Sequence, residues 1–147
     1  MKKQLTIALV AHDNRKADMV EWAVHNADML SIHKLVCTGT TGSMIRKAFQ
    51  EKGIEADITC MNSGPLGGDA EIAAMVVRKE VNLAIFLIDD LNAQPHEADI
   101  QMLLRQCRVH NVPIACNRYS ADLMITSTLW DNDDYVPTEP KYVYFKR

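Results

Sequence analysis

The chain has 147 residues, 48% of them hydrophobic and 24% charged, a size and composition that fit one globular domain with a core of its own. A formal net charge of −3 gives no broad basic field and argues against nucleic acid as a partner, yet a local cluster of donors could still grip a small anion. No apolar stretch approaches the length of a membrane span. The apolar run behind the two N-terminal lysines stops at His12 and Asp13 with no small-residue cleavage site after it, so the expected protein is cytoplasmic and touches no membrane.

In chain order, apolar runs alternate with helix-like segments. LTIALVA (5–11) predicts a buried first strand, and a helix follows near 14–27, where Met19, Trp22 and Ala23 recur at helical spacing. HKLVCT (33–38) predicts a second strand, and GSMIRKAFQEKG a helix closed by Gly53. ADITCM (56–61) predicts a short third strand, and DAEIAAMVVRKE (69–80) a helix opened by Asp69. NLAIFLI is the most apolar run and predicts a central strand buried on both faces. ADIQMLLRQCRVHN (98–111) predicts a helix with Asp99 in its opening turn. VPIAC (112–116) predicts a short fifth strand, and SADLMITS (120–127) a last helix capped by Ser120. From about residue 131 the chain carries Pro137 and Pro140 and ends in alternating aromatics, the pattern of an extended tail. Five strand–helix repeats with no linker between them imply a single α/β domain over 1–147, a three-layer αβα arrangement around a five-stranded parallel sheet.

Cys37, Cys60, Cys107 and Cys116 form no C-x-x-C pair and lie in or beside apolar segments, so they are expected as buried thiols acting as small hydrophobes. PHEAD (95–99) is not the start of a zinc helix, because the position four after His96 is Ile100. No zinc motif remains, and no metal is expected.

In a parallel α/β sheet the ligand crevice lies outside the carboxyl ends of the strands. The residues that follow the strands are therefore the candidates. After the first strand come His12, Asp13 and Lys16; after the second, Thr38, Gly39, Thr40, Thr41 and Gly42; after the third, NSGPLGGD; after the fourth, Asp89, Asp90, Asn92, His96 and Asp99. TGTTG at a strand-to-helix turn offers backbone N–H groups and hydroxyls to an oxyanion. It is neither a Walker loop nor G-x-G-x-x-G, and a capped tight turn would account for it equally well on its own. A second glycine-rich turn at the next strand's end, and Lys16 one helical turn past Asp13, favour an anion cradle. Three glycines ahead of Asp69 are more than a helix cap requires; they let the chain pass close beneath a ligand and bring one carboxylate to the rim. His96 is either a satisfied loop histidine or, beside that carboxylate, a group that polarises a carbonyl.

ALVAHDNRK, CTGTTG, NSGPLGGDAEIAA, IFLIDDLNAQPHEADI and PIACNRYSAD together resemble the methylglyoxal synthase family, in unbroken order from about residue 5 to about residue 125. The resemblance implies a cofactor-free enzyme that converts dihydroxyacetone phosphate to methylglyoxal and inorganic phosphate through an enediolate. It implies assembly as a homohexamer, with phosphate as product and inhibitor. It also implies roles by position. Asp69 would be the catalytic carboxylate, with His96 near the substrate carbonyl and hydroxyl. Lys16, Thr40, Thr41, Ser63 and Gly64 would hold phosphate, with His12 and Thr38 in the substrate pocket. Asp13, Asp89 and Asp99 would be acids in or around the site, and Arg105 a link between subunits. Tyr142 and Arg147 are candidates to reach a neighbouring site.

Cys37, Cys116 and Asp90 depart from the residues more frequent in the family. Two other readings share the strand–helix alternation. A non-catalytic anion-binding regulatory module, like the effector domain of carbamoyl phosphate synthetase, would not need both Asp69 and His96. A phosphoacceptor receiver would need an aspartate after the third strand and a lysine after the fifth, where CMNSG and ACNRY stand.

Overall fold

The computed structural model describes residues 4–130 and 132–142. Five parallel strands, β1 (Thr6–Ala11), β2 (Lys34–Thr38), β3 (Asp57–Met61), β4 (Leu83–Leu87) and β5 (Ile114–Ala115), lie in the order β3-β2-β1-β4-β5. They alternate with α1 (Lys16–His25), a short α2 (Ala27–Leu30), α3 (Gly39–Glu51), α4 (Gly68–Val77), α5 (Glu97–Val109) and α6 (Arg118–Ile125). The expected five-stranded parallel sheet with helices on both faces is the one observed.

The period of two along a strand decides the layers. Ile7, Leu9 and Ala11 of β1 pack with Met19 and Trp22 of α1, Ile45 and Phe49 of α3, and Ala121 of α6. Ala8 and Val10 point the other way, to Ile72 and Val76 of α4 and to Ile100 and Leu103 of α5. Both faces are covered, so the central strands read as unbroken apolar runs; every residue of β4 is at most 2% exposed. Each large aliphatic or aromatic side chain withdrawn in this way contributes about 1.5–3 kcal/mol of transfer free energy.

Local differences from the expected elements have local causes. The helix expected over 14–27 divides at Asn26, whose side-chain amide donates to the Trp22 carbonyl at 2.9 Å and competes with the helical ladder. TGTTG is not a loop: Thr38 is the last residue of β2 and α3 begins at Gly39. The last helix is capped by Asn117, which accepts from the Ser120 amide at 2.8 Å; Ser120 itself lies inside the first turn. Cys37 and Cys107 are buried as expected, Cys60 is half-buried, and Cys116 is exposed. Burial pushes the Cys37 thiol up to about 12 and the Cys107 thiol to about 11, which leaves both inert.

Residues 135–142 carry no helix or strand. Lys79 pairs with Glu139 at 3.6 Å, Asn111 donates to the Thr138 carbonyl at 3.1 Å, and the Tyr142 hydroxyl donates to the Val109 carbonyl at 2.6 Å. These contacts sit at the C-terminal ends of α4 and α5, the edge of the sheet opposite the strand carboxyl ends. Tyr142 is thus held by its own chain, away from the crevice, and Arg147 lies outside the described residues. No helix among the described residues is long and apolar enough to cross a membrane.

Candidate active site

In the order β3-β2-β1-β4-β5 the direction of winding reverses between β1 and β4, and a crevice opens there at the strand ends. A cavity of about 200 Å³ occupies this region, lined by His12, Lys16, Thr38, Thr40, Thr41, Ser63, Gly64, Asp69, Gln94 and His96 among others. That is smaller than the roughly 300–1,000 Å³ of sites for drug-sized ligands. The lining comes from both helical layers. Lys16 belongs to α1 and Thr40 and Thr41 to α3 on one face, Thr38 ends β2, and Asp69 belongs to α4 and His96 to the N-terminus of α5 on the other face.

Asp69 stands in the first turn of α4, wholly buried, and neither carboxylate oxygen has a hydrogen-bond partner among the described residues. His96 Nε2 lies 3.4 Å from Asp69 Oδ2. Burial raises the Asp69 pKa above the ordinary aspartate value; the nearby His96 opposes the shift and Asp99 adds to it. A carboxylate so placed is a stronger base than one in water. Its closeness to His96 depends on Gly64, where a Cβ would come within 2.7 Å of His96 Nε2 and 3.2 Å of Asp69 Oδ1. The exit of the same turn folds back so tightly that a Cβ on Gly68 would overlap the Asn62 carbonyl.

His12 is fixed across the reversal point. Its Nδ1 accepts the Asp89 backbone N–H at 2.9 Å, so the neutral ring carries its proton on Nε2, the nitrogen left without a partner. Burial lowers the His12 pKa, with His96 as the second cause, and both favour that neutral form. Asp89 accepts from Asn14 at 3.0 Å, Asn92 at 2.9 Å and the Leu91 amide at 3.1 Å. The hydrogen bond from Asn92 is the main reason its pKa is lowered. Asp89 therefore steers His12 from behind and does not line the cavity.

His12, Asp69 and His96 each place one donor atom within 4.8 Å of the others, a spacing that a metal ion could use. The tautomer of His12 argues against it: a histidine ligand donates from its second nitrogen, whereas Nδ1 here receives a hydrogen bond and Nε2 bears the proton. A donor N–H beside a carboxylate suits an oxyanion better than a cation.

At the other end, Lys16 Nζ pairs with Asp13 Oδ1 at 2.6 Å, with the lysine side chain 17% exposed and the aspartate 92%. The Thr38 side chain makes no capping hydrogen bond to α3, which leaves the first-turn amides after Gly39 available to an anion. Thr41 Oγ1 is 3.5 Å from the Ala11 carbonyl. Gly39 does not line the cavity; its amide donates to the Asn62 carbonyl at 3.2 Å. Asp99 is half-buried behind His96, its amide donating to the His96 carbonyl at 3.0 Å. Arg105 is exposed on α5, outside the cavity.

The MGS-like domain family matches residues 18–116. A methylglyoxal synthase from Treponema socranskii is 70% identical over 147 residues, covering 100% of this chain and 93% of that protein. One from Coxiella burnetii (strain Dugway 5J108-111) is 44% identical over 140 residues, covering 95% of this chain and 94% of that one. Among solved structures, the crystal structure of methylglyoxal synthase from Elizabethkingia anophelis NUHP1 aligns with a TM-score of 0.85 at 38% identity, covering 100% of this chain and 93% of that one. The chain belongs to the methylglyoxal synthase family.

Within this family fold, two features of the cavity were not assigned from the sequence. Gln94 lines it, its Nε2 donating to the Asn92 carbonyl at 3.2 Å; its place two residues before His96 is the only signal the sequence carries. Glu71 holds Asn62 at the mouth of the glycine turn, a contact across nine residues that no motif announces.

Proposed function

We propose that this chain is a methylglyoxal synthase: it takes dihydroxyacetone phosphate to methylglyoxal and inorganic phosphate. The observation that carries the reading is the buried, unpartnered Asp69 carboxylate facing His96 in the same small cavity as Lys16 and the α3 N-terminus. One end of that cavity is built for a dianion and the other for removing a proton.

In this reading Lys16, the first-turn amides of α3, Thr40, Ser63 and Gly64 hold the phosphate. Asp69 removes a proton from the hydroxymethyl carbon. Charge then develops on the carbonyl oxygen, where the Nε2–H of His12 and the His96 ring donate hydrogen bonds. The enediolate expels phosphate from the far carbon, and the enol left behind becomes methylglyoxal. Elimination is fastest with the carbon–oxygen bond to phosphate perpendicular to the enediolate plane, so a rigid phosphate grip favours this outcome over isomerisation. Asp13 holds Lys16, Asp89 orients His12, and Asp99 backs His96. A non-catalytic anion module has no use for a buried base beside an imidazole.

We further infer, from the family resemblance, a cytoplasmic homohexamer in which Arg105 links subunits and phosphate inhibits and shapes the substrate response. Exposed Leu66, Leu91, Tyr119 and Val136 supply apolar surface for such contacts. Incubation with dihydroxyacetone phosphate, with release of phosphate and of a 2-oxoaldehyde followed together, tests the activity. Absence of both products would overturn it. Sedimentation analysis tests the assembly.

A further inference from the structure

Beside Lys16 of α1, the phosphate end of the cavity is assembled from two separate segments, the start of α3 and residues 62–64. The second of these leaves β3, an edge strand with a neighbour on one side only, so the sheet alone does little to hold it. Asn62 is where the two segments meet. Its backbone N–H and its side-chain amide both donate to one oxygen of Glu71, Oε1, at 3.0 and 2.9 Å. Its carbonyl accepts the amide of Gly39, the first residue of α3, at 3.2 Å. The next two residues, Ser63 and Gly64, line the cavity.

We propose that Glu71, acting through Asn62, is a positioning residue that locks the two halves of the phosphate cradle in register and thereby sets affinity for the phosphate group. Glu71 does not itself line the cavity. It is half-buried in the first turn of α4, where its carboxylate also suits the positive end of the helix. That second role could be its only one, and the two roles separate by substitution. Glu71→Gln removes the charge and keeps Oε1 as an acceptor for both Asn62 donors, whereas Glu71→Ala removes both. The inference rests on the phosphate-eliminating reading of the site.

The test compares wild type, Glu71→Gln, Glu71→Ala and Asn62→Ala by steady-state kinetics with dihydroxyacetone phosphate and by calorimetric titration with inorganic phosphate. With the lock in place, Glu71→Ala raises KM and the phosphate Kd in parallel by about tenfold, the consequence of losing both hydrogen bonds that hold Asn62. Under the same reading kcat stays within about threefold and Glu71→Gln stays within about threefold of wild type in every parameter. Asn62→Ala, which keeps its backbone bonds, falls between. Equal shifts in the Gln and Ala variants, unchanged KM and Kd in Glu71→Ala, or a fall in kcat at constant KM each overturn the proposal. Should Glu71→Ala fail to fold, Asn62→Ala carries the test, and wild-type affinity for phosphate in that variant overturns it. A wild type that binds phosphate but turns over no substrate sinks the functional reading, while the titrations still decide the lock. A wild type that binds no phosphate removes the cradle and the lock together.

Discussion

His96 Nε2 stands 3.4 Å from Asp69 Oδ2 with the two side chains only 6% and 1% exposed. Among the described residues the aspartate oxygens have no hydrogen-bond partner, so the nearby imidazole and the N-terminal end of α4 are what offset the removal of this carboxylate from water. An ionised acid left so nearly alone costs stability. The folded pKa of Asp69 is raised, chiefly by burial, the condition the proposed role as a base requires.

Asp69→Asn should therefore separate activity from stability. Loss of the proposed general base should lower kcat by at least about 10²–10⁴. The raised pKa means that the folded state binds this proton more tightly than the unfolded state does. Stability is consequently lost as pH climbs from the ordinary aspartate range, about 3.9, through the folded value. The asparagine variant should melt above wild type at pH 7, and the gap should close as pH falls toward 4. Phosphate release and thermal melts across pH check both halves.

His12 should remain neutral to a lower pH than the ordinary histidine value of 6.5, because burial and His96 depress its pKa. The folded state resists this proton, so stability is lost as pH falls from 6.5 through the folded value. Nitrogen-15 NMR should show Nε2 protonated and Nδ1 bare, as the Asp89 N–H donated to Nδ1 requires. His12→Ala should cost about 10²–10³ in kcat through loss of the proposed oxyanion donor. A ring protonated on Nδ1 would contradict the assignment.

Gly64→Ala puts a methyl group within 2.7 Å of His96 Nε2 and 3.2 Å of Asp69 Oδ1. The chain should fold, since Gly64 has an ordinary backbone conformation and only Gly53 and Gly67 among the glycines take positive φ. Activity should fall by about 10²-fold or more, the scale of a misplaced reacting group. A crystal structure of the variant should show His96 displaced.

Lys16→Ala should raise KM and the phosphate Kd together, by about 10–100-fold for a lost charge-assisted contact. Asp13→Asn should leave stability within about 0.5 kcal/mol, because Asp13 is almost fully in solvent and exposed pairs contribute little. Kinetics and melting curves for the two variants decide.

At the last helix, Asn117→Ala should cost about 1 kcal/mol of stability through loss of the cap to the Ser120 amide. Ser120→Ala should change stability by less than about 0.5 kcal/mol. Denaturant unfolding distinguishes the two residues, and the reverse order would restore Ser120 as the cap.

Much of the fold was legible beforehand because it depends on local pattern. A run as short as LAIFL, bounded by polar residues, suits a strand covered on both faces better than a helix, and Met19, Trp22 and Ala23 at helical spacing suit a helix lying on one of those faces. The candidate residues were legible as a set because parallel connectivity delivers every strand's end to the same rim. Boundaries were less legible: nothing before Gly39 distinguishes a loop from an immediate helix start, and Asn117 competes with Ser120 for one cap.

The sequence by itself determined a three-layer α/β domain, the identity of the residues at its carboxyl rim, and the presence of one acid behind a glycine-rich bend. Only the tertiary structure decided which rim residues meet. It turned Asp89 to the back of His12 and so set the proton on Nε2, moved Gly39 out of the lining, and brought in Gln94 and the Asn62–Glu71 contact. The reason is physical: periodicity is encoded in neighbours a few residues apart, whereas hydrogen bonds such as the one between residues 12 and 89 exist only after strands distant in sequence have paired.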